Sequence, residues 1–575
     1  MAESANIARH LPLMAARQPA HAAVKIPRGR TPLGAIDYLT LSFAELDAEV
    51  NTWVAYLRQN GVQRGDRVLV MVRQGLPLIA AAFALFKLGA VPVIIDPGMG
   101  RKNFLACVAR SKPRILLGIP FAQILSHVFR SAFVSVKIRI KVSGAATARL
   151  KFDAQPSALN AQLAANNASD LAAILFTSGS TGAPKGVCYE YGMFEAQVRL
   201  VRDAYDIKPG EVDLPMLPIF ALFNPALGLT TIVPEIDPSR PATVDPEKIV
   251  RAIQQEQVTT SFGSPTLWRK IFDHCLKHNI TLPSMRRVLC AGAAVPASLW
   301  ADAARVLPNG KLHSPYGATE VLPVATASST DLELQPTLGS LIGRPLSENQ
   351  VKVIALHDGP LVTLADIHEL PPGQIGEIIV TGPTVTKEYD HLPAATAAAK
   401  IQSPISKIQN SEKKSARRES FGLCELDLEN SAPSGAVWHR MGDAGRFDST
   451  GRLWFCGRIA ERVETANGTL HTESCEQVFR GHAQVVRCAL IGLGPRGMQE
   501  PALVIQPALS VVDRATLARE LRELATHYPH TVSIKKFFFH PSFPVDVRHN
   551  AKIHRLTLAQ WADSARAIEP GKTLK

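Results

Sequence analysis

The apolar positions of this chain fall into short unbroken runs and a few helical stretches, separated by polar turns. Leu171 to Phe176 is a continuous apolar run that stops at Thr177, the pattern of a short buried strand. Leu76 to Ile95 is also apolar, but Pro77, Lys87 and Pro92 interrupt it, so it is too broken to span a bilayer. It predicts instead a buried helix over Pro77 to Leu88 and a strand over Val91 to Ile95. Further strands are expected over Arg287 to Cys290 and Gly376 to Gly382. Past Gly457 the elements become shorter: a helix over Cys475 to Phe479, then strands over Val486 to Ile491 and Ala502 to Ile505. Met1 to Pro19 mixes Glu3, Arg9, His10 and Arg17 with apolar residues and reads as an amphipathic helix, not a secretory signal. Leu392 to Gly435 is rich in Ala, Ser, Lys and Glu with little periodicity, which predicts a mobile insertion.

A chain of 575 residues is too long for one core and implies several domains. Its eight cysteines are scattered, without a Cys-x-x-Cys pair. That speaks against a zinc site and a disulfide scaffold, and for a reducing cytoplasm. The net charge of +13 is uneven: Arg101 to Lys151 holds eleven Lys and Arg and no Asp or Glu, with apolar residues between them. Such a stretch reads as a patch for an anionic lipid surface, an acidic partner protein or an acyl carrier. It reads equally as the solvated faces of ordinary elements. Nucleic acid is excluded as a partner, since no recognised module appears and the basic stretch lacks Tyr and Trp.

The chemistry begins where the strand ending at Phe176 opens into Thr177, Ser178, Gly179, Ser180, Thr181, Gly182, Ala183, Pro184, Lys185 and Gly186. Small residues let backbone N–H groups approach phosphate oxygens, hydroxyls add donors, and the lysine adds charge. It is not a Walker loop, because Pro184 stands where the second glycine of that pattern belongs. Four more segments follow in order: Ala291-Gly292-Ala293-Ala294-Val295-Pro296; Tyr316-Gly317-Ala318-Thr319-Glu320; Met441-Gly442-Asp443 continuing to Gly457-Arg458; and Asn550-Ala551-Lys552-Ile553. Singly, each reads as a turn, a surface hairpin or a solvated charge.

Together the five segments resemble the adenylate-forming enzymes: acyl-CoA synthetases, nonribosomal-peptide adenylation domains and luciferases. The resemblance runs from about Asn6 to about Gln560. It implies an α/β fold, with a large N-terminal region of layered subdomains and a small β-barrel over residues 1–457. A mobile C-terminal α/β lid over residues 458–575 follows. It implies ATP and Mg²⁺, an acyl-adenylate intermediate, and roles for matching residues. Tyr316, beside Gly317, would stack on adenine, with Gly292 and Ala293 against the base. Thr319 would contact the α-phosphate and Glu320 would help hold Mg²⁺. Asp443 and Arg458 would take the ribose and phosphate. Lys552 would bridge the substrate carboxylate and the α-phosphate.

Some positions depart from that pattern. Ala460 occupies the hinge position, where Asp or Lys is usual; Glu464 stands for Lys or Asn; and Ala551 replaces glycine. In Leu217 to Asn224 an aromatic takes the place of a histidine common in acyl-CoA synthetases. These changes leave the adenylation set whole and weaken a coenzyme A step. The segments Lys185 to Phe194, Pro218 to Gly228 and Tyr316 to Val324 resemble the β-lactone synthetases of bacterial long-chain olefin biosynthesis. There a 2-alkyl-3-hydroxy fatty acid closes on itself through its β-hydroxyl. That resemblance implies olefin-pathway protein partners. Phe220, Phe223, Leu227 and Phe262 would suit two alkyl arms or serve as plain core. Glu190, Glu195 and His313 lie near motif segments, and none is singled out as a general base for the hydroxyl. A fatty acyl-CoA synthetase or acyl-AMP ligase, and a non-catalytic nucleotide-binding scaffold, stay open as alternatives.

Overall fold

The computed structural model describes residues 5–150, 163–177, 183–237, 243–331, 338–402, 436–509, 511, 513–545 and 553–570. Buried apolar strands set its frame. A six-stranded sheet has the order Ile138–Lys141, Ile115–Gly118, Arg67–Met71, Val91–Ile94, Leu171–Thr177, Lys185–Glu190. Its pairs are parallel except the last, where Leu171–Thr177 runs antiparallel to Lys185–Glu190. Parallel strands need both faces covered. The helix Leu76–Leu88, apolar all round, answers that need: every residue from Ile79 to Leu88 is buried, and its Lys87 Nζ reaches Asn51 Oδ1 at 2.5 Å. Among the described residues no helix is long and apolar enough to cross a membrane.

A second, larger sheet carries Thr260–Gly263, Arg287–Cys290 and Lys311–Ala318 side by side in parallel. It continues through Val321–Ser328 and Ser340–Pro345 into the hairpin of Val437–Phe447 and Leu453–Arg458. The barrel expected of this region is thus continuous, by strand pairing, with the large sheet. The expected insertion also begins later than its composition suggests. Pro393–Ala399 is a helix, and Lys400–Gln402 is a strand paired to Val437–Phe447; residues 403–435 lie outside the described residues.

The C-terminal part has a core of its own, with Phe479, Leu503, Leu517 and Phe537 fully buried. Its strands Val485–Leu493, Glu500–Pro507 and Lys536–Phe539 form a separate sheet. It meets the larger part where Ser340 Oγ donates to Glu473 Oε1 at 2.6 Å. Gly457 sits at the crossing with φ +132°, and a Cβ there would lie 2.3 Å from Thr472 Oγ1, so glycine is required.

This C-terminal core is closed by an ionic network around Glu476, which is fully buried. Glu476 accepts from Arg480 at 2.7 Å, from Arg555 at 2.7 and 2.8 Å, and from the Leu490 N–H at 3.0 Å. Arg555 also donates to Glu461 at 2.8 Å. Removing one member strands the others as buried charges. Glu476→Ala is therefore expected to cost about 3–5 kcal/mol. Urea unfolding checks this, and an unshifted midpoint would refute it.

Candidate functional site

Thr177 and Lys185 are paired across the antiparallel strands, so the glycine-rich loop leaves and re-enters the sheet at adjacent points. Ser178, Gly179, Ser180, Thr181 and Gly182 lie outside the described residues. Behind the loop, Glu388 to Asp390 runs along the strand that follows it: Asp390 N–H donates to the Gly186 carbonyl at 2.7 Å, and Val187 bridges to Tyr389. This places the Tyr389 ring 4.7 Å from Lys185 Nζ.

The turn Thr319–Glu320 ends the strand that carries Tyr316 and Gly317. Its backbone is held from two sides. Tyr189 OH donates to the Thr319 carbonyl at 2.5 Å, and Thr386 donates to the Glu320 carbonyl through both N–H and Oγ1, at 2.9 and 3.0 Å. The Glu320 carboxylate accepts from Tyr389 OH at 2.7 Å. Lys400 Nζ closes the group at 3.2 Å from Thr386 Oγ1. Burial pulls the Lys400 ammonium down to about 7; Glu320 opposes that shift and Lys185 adds to it. Opposite it in the strand pair, His439 is driven well below its ordinary range, first by burial and then by Lys400.

Asp443 and Arg458 face each other across their hairpin. Asp443 accepts from Tyr316 OH at 2.7 Å and pairs with Arg458 Nη1 at 2.8 Å. Burial, then the Asp443 charge, hold the Tyr316 phenol well above its ordinary range. Asp443 in turn raises Arg458. Gly292 and Ala293 form the turn after Arg287–Cys290, with Gly292 at φ +96°. Because that strand lies parallel to Lys311–Ala318, this turn and Tyr316 emerge at the same carboxyl edge of the sheet. Clefts outside such edges are where open α/β sheets bind ligands.

The structure thus brings Glu320 and Lys185 together through Tyr389, and Tyr316, Asp443 and Arg458 together directly. Lys552 lies outside the described residues, as does the side chain of Phe220. Tyr389, Thr386 and Lys400 were invisible to pattern reading, because the Lys387-Glu388-Tyr389-Asp390 run has no periodicity and Lys400 sits where composition suggests an insertion. Of the three groups near motif segments, Glu190 pairs with Lys387 at 2.8 Å. Glu195 pairs with Arg9 and His10 from the N-terminal helix. His313 is held neutral by burial, at about 4. Phe223 and Phe262 pack, half-buried, against the large core that includes Leu227.

Beneath that segment Asn224 donates to both Asp213 Oδ2 and Thr231 Oγ1, each at 2.9 Å. Burial raises the Asp213 carboxyl to about 7.

Residues 14–390 match the model of the AMP-binding enzymes. The chain belongs to the AMP-binding enzyme family. It is an ATP-dependent adenylate-forming ligase. It is 42% identical to an olefin beta-lactone synthetase of Xanthomonas campestris pv. campestris, covering 98% of each chain. It is 41% identical to one of Stenotrophomonas maltophilia, covering 97% of this chain and 98% of that one. Among solved structures, the amide bond synthetase McbA from Marinactinospora thermotolerans superposes with TM-score 0.76 at 20% identity, over 97% of this chain and all of that one. The o-succinylbenzoate coenzyme A synthetase of Bacillus subtilis, solved with ATP and magnesium, superposes at 0.70 and 19%, over 96% and 98%. At these identities the superpositions speak for the fold alone.

The raised Asp213 carboxyl sets a pH signature. The folded chain keeps that proton up to about pH 7, whereas the unfolded chain releases it near its ordinary value of 3.8. The folded state therefore binds more protons between these values, and its stability falls as pH rises through the window. Asp213→Asn removes the ionisation. Its stability relative to the native chain should rise from near zero at the acid end to a few kcal/mol above about pH 7. Unfolding curves of both proteins across that range check this, and a difference that is flat in pH would refute it.

Proposed function

We propose that this chain activates a long-chain 2-alkyl-3-hydroxy fatty acid with ATP and closes it to a β-lactone, releasing AMP and pyrophosphate. The observation that carries the reading is the 42% identity to an olefin beta-lactone synthetase over nearly the whole of both chains. The cluster of Tyr316, Asp443 and Arg458 supports the nucleotide half: a ring at a sheet edge, next to a carboxylate whose chemistry suits ribose hydroxyls.

In the first step an oxygen of the substrate carboxylate attacks the α-phosphorus, and pyrophosphate leaves with the bond electrons. In this reading Lys185, Thr319 and Lys552 neutralise the charge that builds there. The Glu320 carboxylate, held by the Tyr389 hydroxyl, is a hard oxygen donor of the kind Mg²⁺ takes. When bound, Mg²⁺ would screen the departing phosphates. In the second step the β-hydroxyl oxygen attacks the acyl carbon, its proton passes to a base, and AMP leaves. Acid and nucleophile belong to one molecule, so no diffusional encounter is needed, and proximity offsets ring strain. Pathway proteins that deliver the acid and take the lactone belong to the same reading. A substrate with two alkyl arms partitions into lipid, which gives the basic stretch of residues 101–151 a use.

The deciding experiment is mass spectrometry of products from a racemic 2-alkyl-3-hydroxy fatty acid with ATP and Mg²⁺, with and without coenzyme A. The expected product has lost one water, with AMP released in equal amount and no need of coenzyme A. A thioester that forms only with coenzyme A would move the chain to the acyl-CoA synthetases. Lys552→Ala should lower adenylate formation by roughly 10²–10³-fold while leaving ATP affinity nearly intact. Asp443→Ala should weaken ATP binding by roughly 10–100-fold, as loss of a charge-assisted hydrogen bond implies. Pyrophosphate exchange and equilibrium nucleotide binding separate the two, and full exchange in the lysine variant would remove Lys552 from its role.

A further inference from the structure

The strand Ile138–Lys141 is, among the described residues, an unpaired edge of the six-stranded sheet. The helix Pro120–Val128 packs beside it, with Gln123 Nε2 donating to the Ile140 carbonyl at 3.0 Å and Arg139 Nε to Ser126 Oγ at 3.0 Å. This helix buries Ala122 and Ser126 and turns Phe121, Ile124 and Val128 outward, 65%, 61% and 67% exposed. Spacings of three and four put the three on one helical face. Val134, in the connection back to the edge strand, is 74% exposed. Three large apolar side chains exposed on one face of a short helix are an unusual use of surface.

Arg130, Lys137, Arg139 and Lys141 are exposed on the same connection and strand. Other cations of the basic stretch have structural work instead: Arg114 pairs with Asp66 at 2.6 Å and Arg149 with Glu49 at 3.1 Å. Lys137 and Lys141 take no ion pair among the described residues. The segment from Arg101 to Lys151 supplies no carboxylate to pair with them.

Exposed apolar side chains on one short helix, beside lysines without an ion pair among the described residues, match one chemistry. The apolar groups enter the headgroup–acyl boundary, while the lysines stay with anionic headgroups. A protein partner would need a broad complementary surface; here the apolar groups stand on a single nine-residue helix and the turn after it. We infer that the helix Pro120–Val128 and the edge strand Ile138–Lys141 dock this chain on an anionic lipid bilayer. Phe121, Ile124 and Val128 insert, and Lys137 and Lys141 contact the headgroups.

The test is co-sedimentation of the full chain with vesicles of phosphatidylcholine mixed with phosphatidylglycerol, and with vesicles of phosphatidylcholine alone. The chain is expected to sediment with the anionic vesicles and to be released by salt. The pairs Phe121→Ser with Ile124→Ser, and Lys137→Glu with Lys141→Glu, should each reduce binding by about tenfold or more. These positions are exposed, so pyrophosphate exchange in solution should match the native chain and confirm folding. Phe121→Trp should shift its fluorescence to the blue on anionic vesicles only. A chain that stays in the supernatant overturns the inference and leaves an acidic protein surface as the partner; equal binding by the charge-reversed variant also overturns it. Vesicle binding needs neither ATP nor hydroxy acid, so this result stands apart from the ligase reading.

Discussion

A carboxylate only 3% exposed keeps its charge at a high desolvation cost unless its oxygens are matched, and Asp443 is such a group. Its partners arrive from two places in the chain, 127 residues away at Tyr316 and across a hairpin at Arg458. Satisfying this one ion aligns the end of the parallel part of the large sheet with the hairpin that closes its antiparallel part. The aromatic ring at the sheet edge and the carboxylate suited to a ribose are then fixed to each other. The geometry of the cluster proposed to take the nucleotide follows from an electrostatic requirement that the fold has to meet anyway.

The second half of the site is built the opposite way, around crowding of like charge. Lys185 and Lys400 both approach the Tyr389 ring, at 4.7 and 5.9 Å, and the tyrosine hydroxyl donates to the Glu320 carboxylate. The two ammonium groups disfavour one another, and burial together with that repulsion brings Lys400 down to about 7. An anion seated beside Lys185 would relieve that repulsion, the more strongly in a low local dielectric.

Individual strands were legible in the sequence where apolar runs are continuous, but their order in the sheets was not. Leu171 to Phe176, Arg287 to Cys290 and the largely apolar helix near Leu76 are found where their patterns place them. Tyr316, Asp443 and Arg458 were legible because each stands in a short motif with its own turn chemistry. Tyr389 and Lys400 were not. Their importance comes from long-range contacts with Glu320 and Lys185, which leave no trace in local periodicity. The helix Pro393–Ala399 was misread for a related reason: an alanine-rich, polar-spaced run looks like a linker until the strand after it pairs with Val437–Phe447. The amphipathic start of the chain was read correctly in kind but not in extent, since the helix proper covers His10–Arg17 after one tight turn at Ile7–Arg9.

The open edge at Ile138–Lys141 has one more consequence, for how copies of this chain treat each other. An unpaired sheet edge is a template for another strand, and natural proteins guard such edges with lysines and arginines. Here Arg139 and Lys141 lie on the edge itself and Lys137 adjoins it, so dissolved molecules repel one another at the place where they would otherwise join. Neutralising those charges would lift that repulsion. The residues that make the corner basic are therefore also a colloidal safeguard, effective only while they remain uncompensated.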